Sequence, residues 1–178
     1  MESITASSVV VLDADGTRAN SEALADILIS CVQSGASVSF MAPLERQKAL
    51  DFWLDIADSV ERGERLLLAA VDQKNGQAVG TVQVYLKQTE NQPHRADLAK
   101  MLVHPDARRR GIGTLLMNRA EELARAEGKT LLVLDTATGG EAERLYERLG
   151  WNRAGVIPDY SLWPDGRLCS TTILYKHL

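Results

Sequence analysis

Two glycines two positions apart, directly behind three arginines, constrain this chain more than any other stretch. They lie in the run Val103-His104-Pro105-Asp106-Ala107-Arg108-Arg109-Arg110-Gly111-Ile112-Gly113-Thr114. An apolar segment over residues 96–103 reads as a strand, and Pro105 ends it because proline cannot donate to a ladder. A helix is expected over 113–126, stopped by Gly128. The first turn of a helix has unpaired N–H groups and carries the positive end of the dipole. Glycines let that backbone approach an anion closely, and arginines add charge. The pattern predicts a cradle for a phosphate or pyrophosphate. It is not a P-loop, since GxxxxGK[ST] is absent, and a GxGxxG dinucleotide turn fails because Leu116 stands where the third glycine belongs. The alternative is a basic loop leading into a helix with no ligand.

The remaining segments place this turn in a larger pattern. Residues 9–12 form a β-branched run expected as the first strand. A helix over 21–33, capped by Asn20, carries Leu24, Ile27, Leu28 and Cys31 on one stripe. A glycine-serine loop follows. Pro43 is expected to open a second helix over 44–62, with Leu50, Trp53, Leu54 and Ala57 on its apolar face. Strands at 66–71 and 78–86 flank Asn75-Gly76, a hairpin signal. A strand over 130–135, a helix over 141–149, and two strands over 151–156 and 168–176 around Pro164-Asp165-Gly166 complete the chain. The order β-α-α-β-β-β-α-β-α-β-β predicts an α/β (α+β) domain with a mixed sheet covered by helices, spanning residues 1–178 as one unit.

Composition narrows the function classes. The chain has 178 residues with a net charge of −4, which argues against a broad basic face for nucleic acid. Cys31 and Cys169 are too few for a disulfide scaffold or a four-cysteine zinc site. His94, His104 and His177 lack metal-ligand spacing, so no metal is expected. No apolar run reaches the roughly 20 residues of a membrane span. Met1-Glu2-Ser3-Ile4 lacks the basic start and apolar stretch of a signal peptide, so a cytoplasmic location is expected, without a membrane partner.

Arg108-Arg109-Arg110-Gly111-Ile112-Gly113 resembles the [Q/R]-x-x-G-x-[G/A] motif of the GNAT acetyltransferases. Downstream, Ala142-Glu143-Arg144-Leu145-Tyr146-Glu147-Arg148-Leu149-Gly150-Trp151 is similar to that family's A-x-x-[FL]-Y-x-x-x-G-[FW] block. Gly35-Ala36-Ser37-Val38-Ser39-Phe40-Met41 and Pro158-Asp159-Tyr160 with Pro164-Asp165-Gly166-Arg167-Leu168 resemble the tabtoxin-resistance branch of the family. Gly139 departs from the pattern, standing where a cofactor-contacting asparagine is often found. The resemblance implies a GNAT fold: a central mixed, mostly antiparallel, splayed sheet of about seven strands flanked by four helices. It also implies acetyl-CoA as cosubstrate. The pyrophosphate would lie on Arg108, Arg109, Arg110, Gly111, Ile112, Gly113 and Thr114. The pantetheine arm would lie along Met101, Leu102 and Val103, with the Leu102 N–H facing the developing oxyanion.

Acetyl transfer from a thioester to an amine needs a held cosubstrate, a deprotonated amine, a stabilised oxyanion and a proton for the thiolate. The resemblance makes Tyr146 the general acid, protonated at neutral pH because a tyrosine's ordinary pKa is about 10. Asp97 and Asp135 are the candidate bases. Asp97 could instead be a strand-start charge paired with Arg95 or Lys100, and Asp135 a turn cap. Cys31 and Cys169 read as small buried hydrophobes, so direct transfer is expected over a covalent route. Ser37, Phe40, Met41 and Tyr160 are candidates for the acceptor pocket, with Phe40 and Met41 alternatively anchoring the helix that follows. The expected acceptor is a small-molecule primary amine, with toxin or antibiotic resistance as the role. The alternatives are a protein N-terminal or lysine acetyltransferase and a noncatalytic acyl-CoA-binding module. A homodimer is implied by the family, whose late strands often pair between subunits.

Overall fold

The computed structural model describes residues 7–178; residues 1–6, which include the Met1-Glu2-Ser3-Ile4 segment read above, lie outside the described residues. The chain runs β1 (Ser7–Leu12), α1 (Ala14–Ala19), α2 (Ser21–Gln33), α3 (Arg46–Glu61), β2 (Arg65–Asp72), β3 (Ala78–Tyr85), β4 (Arg95–Val103), a 3₁₀ turn (Pro105–Ala107), α4 (Ile112–Ala126), β5 (Leu131–Ala137), α5 (Glu141–Arg148), β6 (Asn152–Leu162) and β7 (Leu168–His177). The strands form one sheet in the order β1-β2-β3-β4-β5-β7-β6. Every pairing is antiparallel except β4 with β5. The expected mixed, splayed sheet is therefore present.

Each face of the sheet is covered by its own apolar layer. On one side, Ile112, Leu116, Met117, Ala120 and Ala124 of α4 pack on Leu68, Val82, Val84, Ala96, Leu98 and Leu132. On the other, the predicted α2 stripe and Trp53 of α3 cover Leu67, Ala69 and Leu102. Burying apolar surface on both faces supplies the main driving force for this arrangement. Among the described residues, no helix is long and apolar enough to cross a membrane.

Several local expectations need correction. α1 was not anticipated; it is six residues long, contains Gly16, and is started by Asp13, whose Oδ1 accepts from the Gly16 N–H at 2.7 Å. Asn20 does not cap α2 through its side chain, because its Nδ2 donates back to the Gly16 carbonyl. Pro43 does not open α3, which begins at Arg46 behind Glu45; buried Leu44 anchors the loop instead. The buried face of α3 is Ala49, Trp53, Ile56 and Ala57, and Leu54 is exposed. β6 runs on to Leu162, well past residue 156.

Two irregularities create the cleft. β4 pairs with β5 only over Arg95–Asp97 against Leu131–Val133. Beyond that point β5 keeps pairing with β7 as far as Ala137, so residues 98–103 of β4 have a free edge toward β5. On its other side β4 is bulged: Thr81 faces Leu102 and Gln83 faces Ala99. One β3 residue therefore stands opposite two of β4, and Lys100 takes the left-handed conformation, φ 51°.

Candidate active site

A cleft of about 670 Å³ opens where β4 and β5 diverge. Its cosubstrate-facing end is built by the turn that opens α4. Gly111 has φ 77°, in the left-handed region that glycine enters at little cost. The first helical bond runs from Leu115 N–H to the Gly111 carbonyl. The N–H groups of Ile112, Gly113 and Thr114 therefore have no intrahelical acceptor, and all three residues line the cleft. Gly113 has a steric reason as well: a Cβ there would lie 2.8 Å from Cδ2 of Leu145.

The three arginines divide. Arg108 lines the cleft but folds back, with Nε donating to the Val103 carbonyl at 3.2 Å and Nη2 to Ser34 Oγ at 3.2 Å. Arg109, at φ 63°, lines the cleft and is loosely paired with Glu141 at 3.8 Å. Arg110 is a correction: its guanidinium turns away to the Asp106 carbonyl, 2.8 Å, and it is not part of the lining. The sequence reading missed Arg144 and Arg148, which reach the same cleft from α5. Their spacing of four was the available signal.

Ladder phase revises the role expected of Leu102. The His104 N–H donates to the Val79 carbonyl at 2.8 Å, and Val103 stands opposite Gly80. Hydrogen-bonded and non-bonded pairs alternate in an antiparallel ladder. The Leu102 backbone therefore points to Thr81 of β3, and the Met101 and Val103 backbones point to the gap. The Val103 carbonyl is already taken by Cys31 Sγ and Arg108 Nε. The Met101 N–H, not that of Leu102, faces the space where an oxyanion would develop. The Leu102 side chain is core.

Tyr146 is buried, packs near Trp151 with ring centroids 6.1 Å apart, and borders the cleft. Burial, reinforced by the negative charge of Asp135, pushes its pKa well above the ordinary tyrosine value. Asp135, at the open end of β5, lines the cleft. Asp97 does not. Its carboxylate is held by Arg95 and by Gln88 Nε2, in line with the strand-start pairing considered above. Cys31 borders the cleft, and desolvation raises its thiol pKa, which disfavours the thiolate a covalent route would need.

At the acceptor end, Ser37 lines the cleft and its hydroxyl donates to the Leu162 carbonyl at 2.9 Å. The Ala42 N–H donates to the Pro164 carbonyl at 3.1 Å. These bonds tie the loop after α2 to the β6–β7 turn beside that end. Phe40, Met41 and Tyr160 are corrections. Phe40 packs edge-on against Phe52 at 5.3 Å, Met41 is exposed, and Tyr160 lies exposed on β6; none lines the cleft. Ser39, Lys100 and Trp163 occupy that region instead. The Lys100 ammonium donates to Ser39 Oγ at 3.0 Å. Desolvation lowers the Lys100 pKa, opposed in part by Asp135 and aided by Arg65.

The Acetyltransferase (GNAT) family profile matches residues 27–151. The chain belongs to the GNAT acetyltransferase family. An uncharacterised N-acetyltransferase of Methanocaldococcus jannaschii is 35% identical over 86 residues, which is 47% of this chain and 38% of that protein. The chain thus spans about two fifths of that curated relative. The Salmonella typhimurium protein yncA, solved with its cofactor acetyl-CoA, superposes with a TM-score of 0.78 at 19% identity over 97% of this chain and 94% of that one. A GNAT superfamily phosphinothricin acetyltransferase of Sinorhizobium meliloti, solved with acetyl-CoA, gives 0.77 at 17% identity over 97% and 88%. At these identities the likeness is one of fold.

The residues present fit an acyl-CoA. The exposed helix start with its glycines suits a pyrophosphate, and the free β4 edge suits the amides of a pantetheine arm. Gly139 has no asparagine side chain to offer, and its N–H is used to cap α5 on Glu143 Oε2 at 2.5 Å.

Proposed function

We propose that this protein is an N-acetyltransferase that moves the acetyl group of acetyl-CoA directly onto the primary amine of a small molecule. The carrying observation is the free edge of β4. It ends beside the α4 helix start on one side, and Tyr146 and Asp135 border the same cleft. In this reading Asp135 accepts the proton of the incoming ammonium, so the nitrogen lone pair can attack the thioester carbonyl. The Met101 N–H donates to the oxygen that becomes negative. Tyr146 gives its proton to the sulfur as the C–S bond breaks, the remaining extra proton on nitrogen returns to the tyrosinate through solvent, and the neutral amide and thiol leave. Asp97 is not needed for this sequence of steps.

The loop after α2, held to the β6–β7 turn beside the cleft by Ser37 and Ala42, supports a small molecule over a protein chain. The phosphinothricin acetyltransferase of similar fold acts on a small amine by its name, and a toxin-resistance role, of that type or of the tabtoxin type, is part of the proposal. So are a single domain over residues 1–178 and a cytoplasmic location. A homodimer through β6 is proposed from the exposed Val156, Ile157, Tyr160 and Leu162 on that strand, which pairs only with β7. Sedimentation at micromolar concentration tests it, and a monomer rejects it.

An acceptor screen with acetyl-CoA and thiol detection tests the main reading. Amine-dependent CoA release with a mass gain of one acetyl group on a small amine is the expected result. Acetyl-CoA binding without turnover of any amine would mean a noncatalytic binding module. Acetylation confined to protein N-termini or lysines would reverse the choice of acceptor.

A further inference from the structure

The acceptor end of the cleft holds a half-buried ammonium without an acidic partner. Lys100 stands at the β4 bulge, immediately before Met101, and its Nζ has Ser39 Oγ at 3.0 Å and the Phe52 ring at 6.0 Å. Among the described residues, no carboxylate lies within ion-pair distance of it. Asp97, the nearest acid along the strand, is committed to Arg95 and Gln88. The surrounding charges do not relieve it. Arg65, whose guanidinium is spent on Ser59 and Gln83, adds positive potential, and Lys48 lies over Phe40 in the same aromatic cluster. A partly desolvated cation with one neutral hydrogen-bond partner is left with donors to spare in the cleft. A ligand carboxylate is the chemistry that would complete it. Asp135, which also lines the cleft, exerts an attraction on Lys100 but makes no ion pair with it.

We propose that the acceptor is an amino acid, or an amine bearing a carboxylate next to the reacting nitrogen, with its carboxylate paired to Lys100 and its ammonium facing Asp135. This rests on the acetyltransferase reading above and names its substrate class. The two protein charges, of opposite sign and on opposite walls, match a zwitterion. They also fix which end of the acceptor meets the thioester. Lys100 selects the substrate, and Asp135 handles its proton. Trp163, which lines the same end of the cleft, offers an apolar surface to the acceptor's side chain.

Matched pairs test this: each amino acid of a set against the amine lacking only its carboxylate, such as phenylalanine with phenethylamine and arginine with agmatine. The wild-type protein should favour the carboxylate-bearing member in kcat/KM by about 30-fold or more, the scale of a buried charge pair. Lys100→Met should abolish that preference by weakening the amino acids while leaving their decarboxylated partners within a few-fold. Lys100→Arg should retain part of it. Turnover of amines with no preference in the wild type overturns the proposal, as does equal loss of both members in Lys100→Met, which would make Lys100 a base or a structural residue. Acetyl-CoA binding with turnover of amines but of no amino acid overturns the substrate class alone. Absence of both acetyl-CoA binding, read by calorimetry, and amine turnover removes the acetyltransferase reading and this one together.

Discussion

Gly113 and Leu145 touch across the junction of α4 and α5: a Cβ on Gly113 would stand 2.8 Å from Leu145 Cδ2. The turn that offers N–H groups to an anion is thereby packed against the helix that carries Tyr146. A single methyl there can be met by turning the end of the Leu145 side chain, in keeping with the glycine-or-alanine position of the motif. Gly113→Leu should push Leu145 aside, move the helix start, and destabilise the fold by about 1–3 kcal/mol, the usual cost of overpacking. The KM for acetyl-CoA should rise and kcat should fall together. Adding Leu145→Ala should recover part of both. Steady-state kinetics and thermal melts of the three variants check this, and an unchanged KM in Gly113→Leu would break the link.

Tyr146 should act in the chemical step. Tyr146→Phe keeps the ring in its buried seat and removes only the hydroxyl, so kcat should drop about 100-fold with the KM for acetyl-CoA nearly unchanged. Desolvation and Asp135 both raise the Tyr146 pKa, which means the hydroxyl keeps its proton as pH rises through the ordinary tyrosine value of 10.0. The kcat profile at saturating substrates should therefore show no alkaline limb from this group below about pH 10. A limb lower than that, lost in Tyr146→Phe, would contradict the assignment.

Asp135 and Asp97 should separate in kcat. Asp135→Asn should lower kcat by about 100-fold. Asp97→Asn should leave kcat within a few-fold, because its carboxylate serves Arg95 and Gln88 at the start of β4. The reverse pattern would restore Asp97 as the base.

Glu121 should matter for stability. It is buried and takes the Lys176 ammonium at 2.8 Å and the Trp151 indole N–H at 3.1 Å, and Lys176 also reaches the Leu149 carbonyl at 2.7 Å. Removing one member of a buried pair strands the other. Glu121→Ala should cost about 3 kcal/mol, a fall in Tm on the order of 10 °C at this length. Glu121→Gln, which keeps an acceptor for Trp151, should cost less. Calorimetric melts decide, and equal melts for wild type and Glu121→Ala would show the network to be energetically silent.

Much of the fold could be read from local patterns. The α2 stripe, the Asn-Gly hairpin and the glycine turn are set by neighbours a few residues apart, which is the range in which periodicity carries information. Leu54 was misassigned because a helix with apolar residues at 49, 50, 53, 54, 56 and 57 has two plausible phases, and only packing on the sheet chooses between them. The site was less legible where it depends on pairing. The bulge at Lys100 exists only in relation to β3, so neither the lysine's place in the cleft nor the backbone phase that favours Met101 over Leu102 is visible along the strand alone. Phe40 and Tyr160 carried the right chemistry for a pocket, but the loop path and the edge position of β6 took them elsewhere. Arg144 and Arg148 needed no long-range knowledge, since their spacing alone put them on one side of α5.

The bulge in β4 also sets a length rule. Ala96 and Leu98 lie against the α4 layer, and so do Met101 and Val103, although an unbroken alternation would assign 100 and 102 to that side. One inserted residue resets the phase. Deleting Lys100 would restore strict alternation over 96, 98, 101 and 103, leaving Met101 and Val103 under α4 and Leu102 toward α2 and α3. A regular β4 that kept all its residues would instead carry Leu102 under α4 and Met101 and Val103 toward α2 and α3, so the bulge is what lets the strand hold one residue more than its partner without transposing its interior and its binding edge.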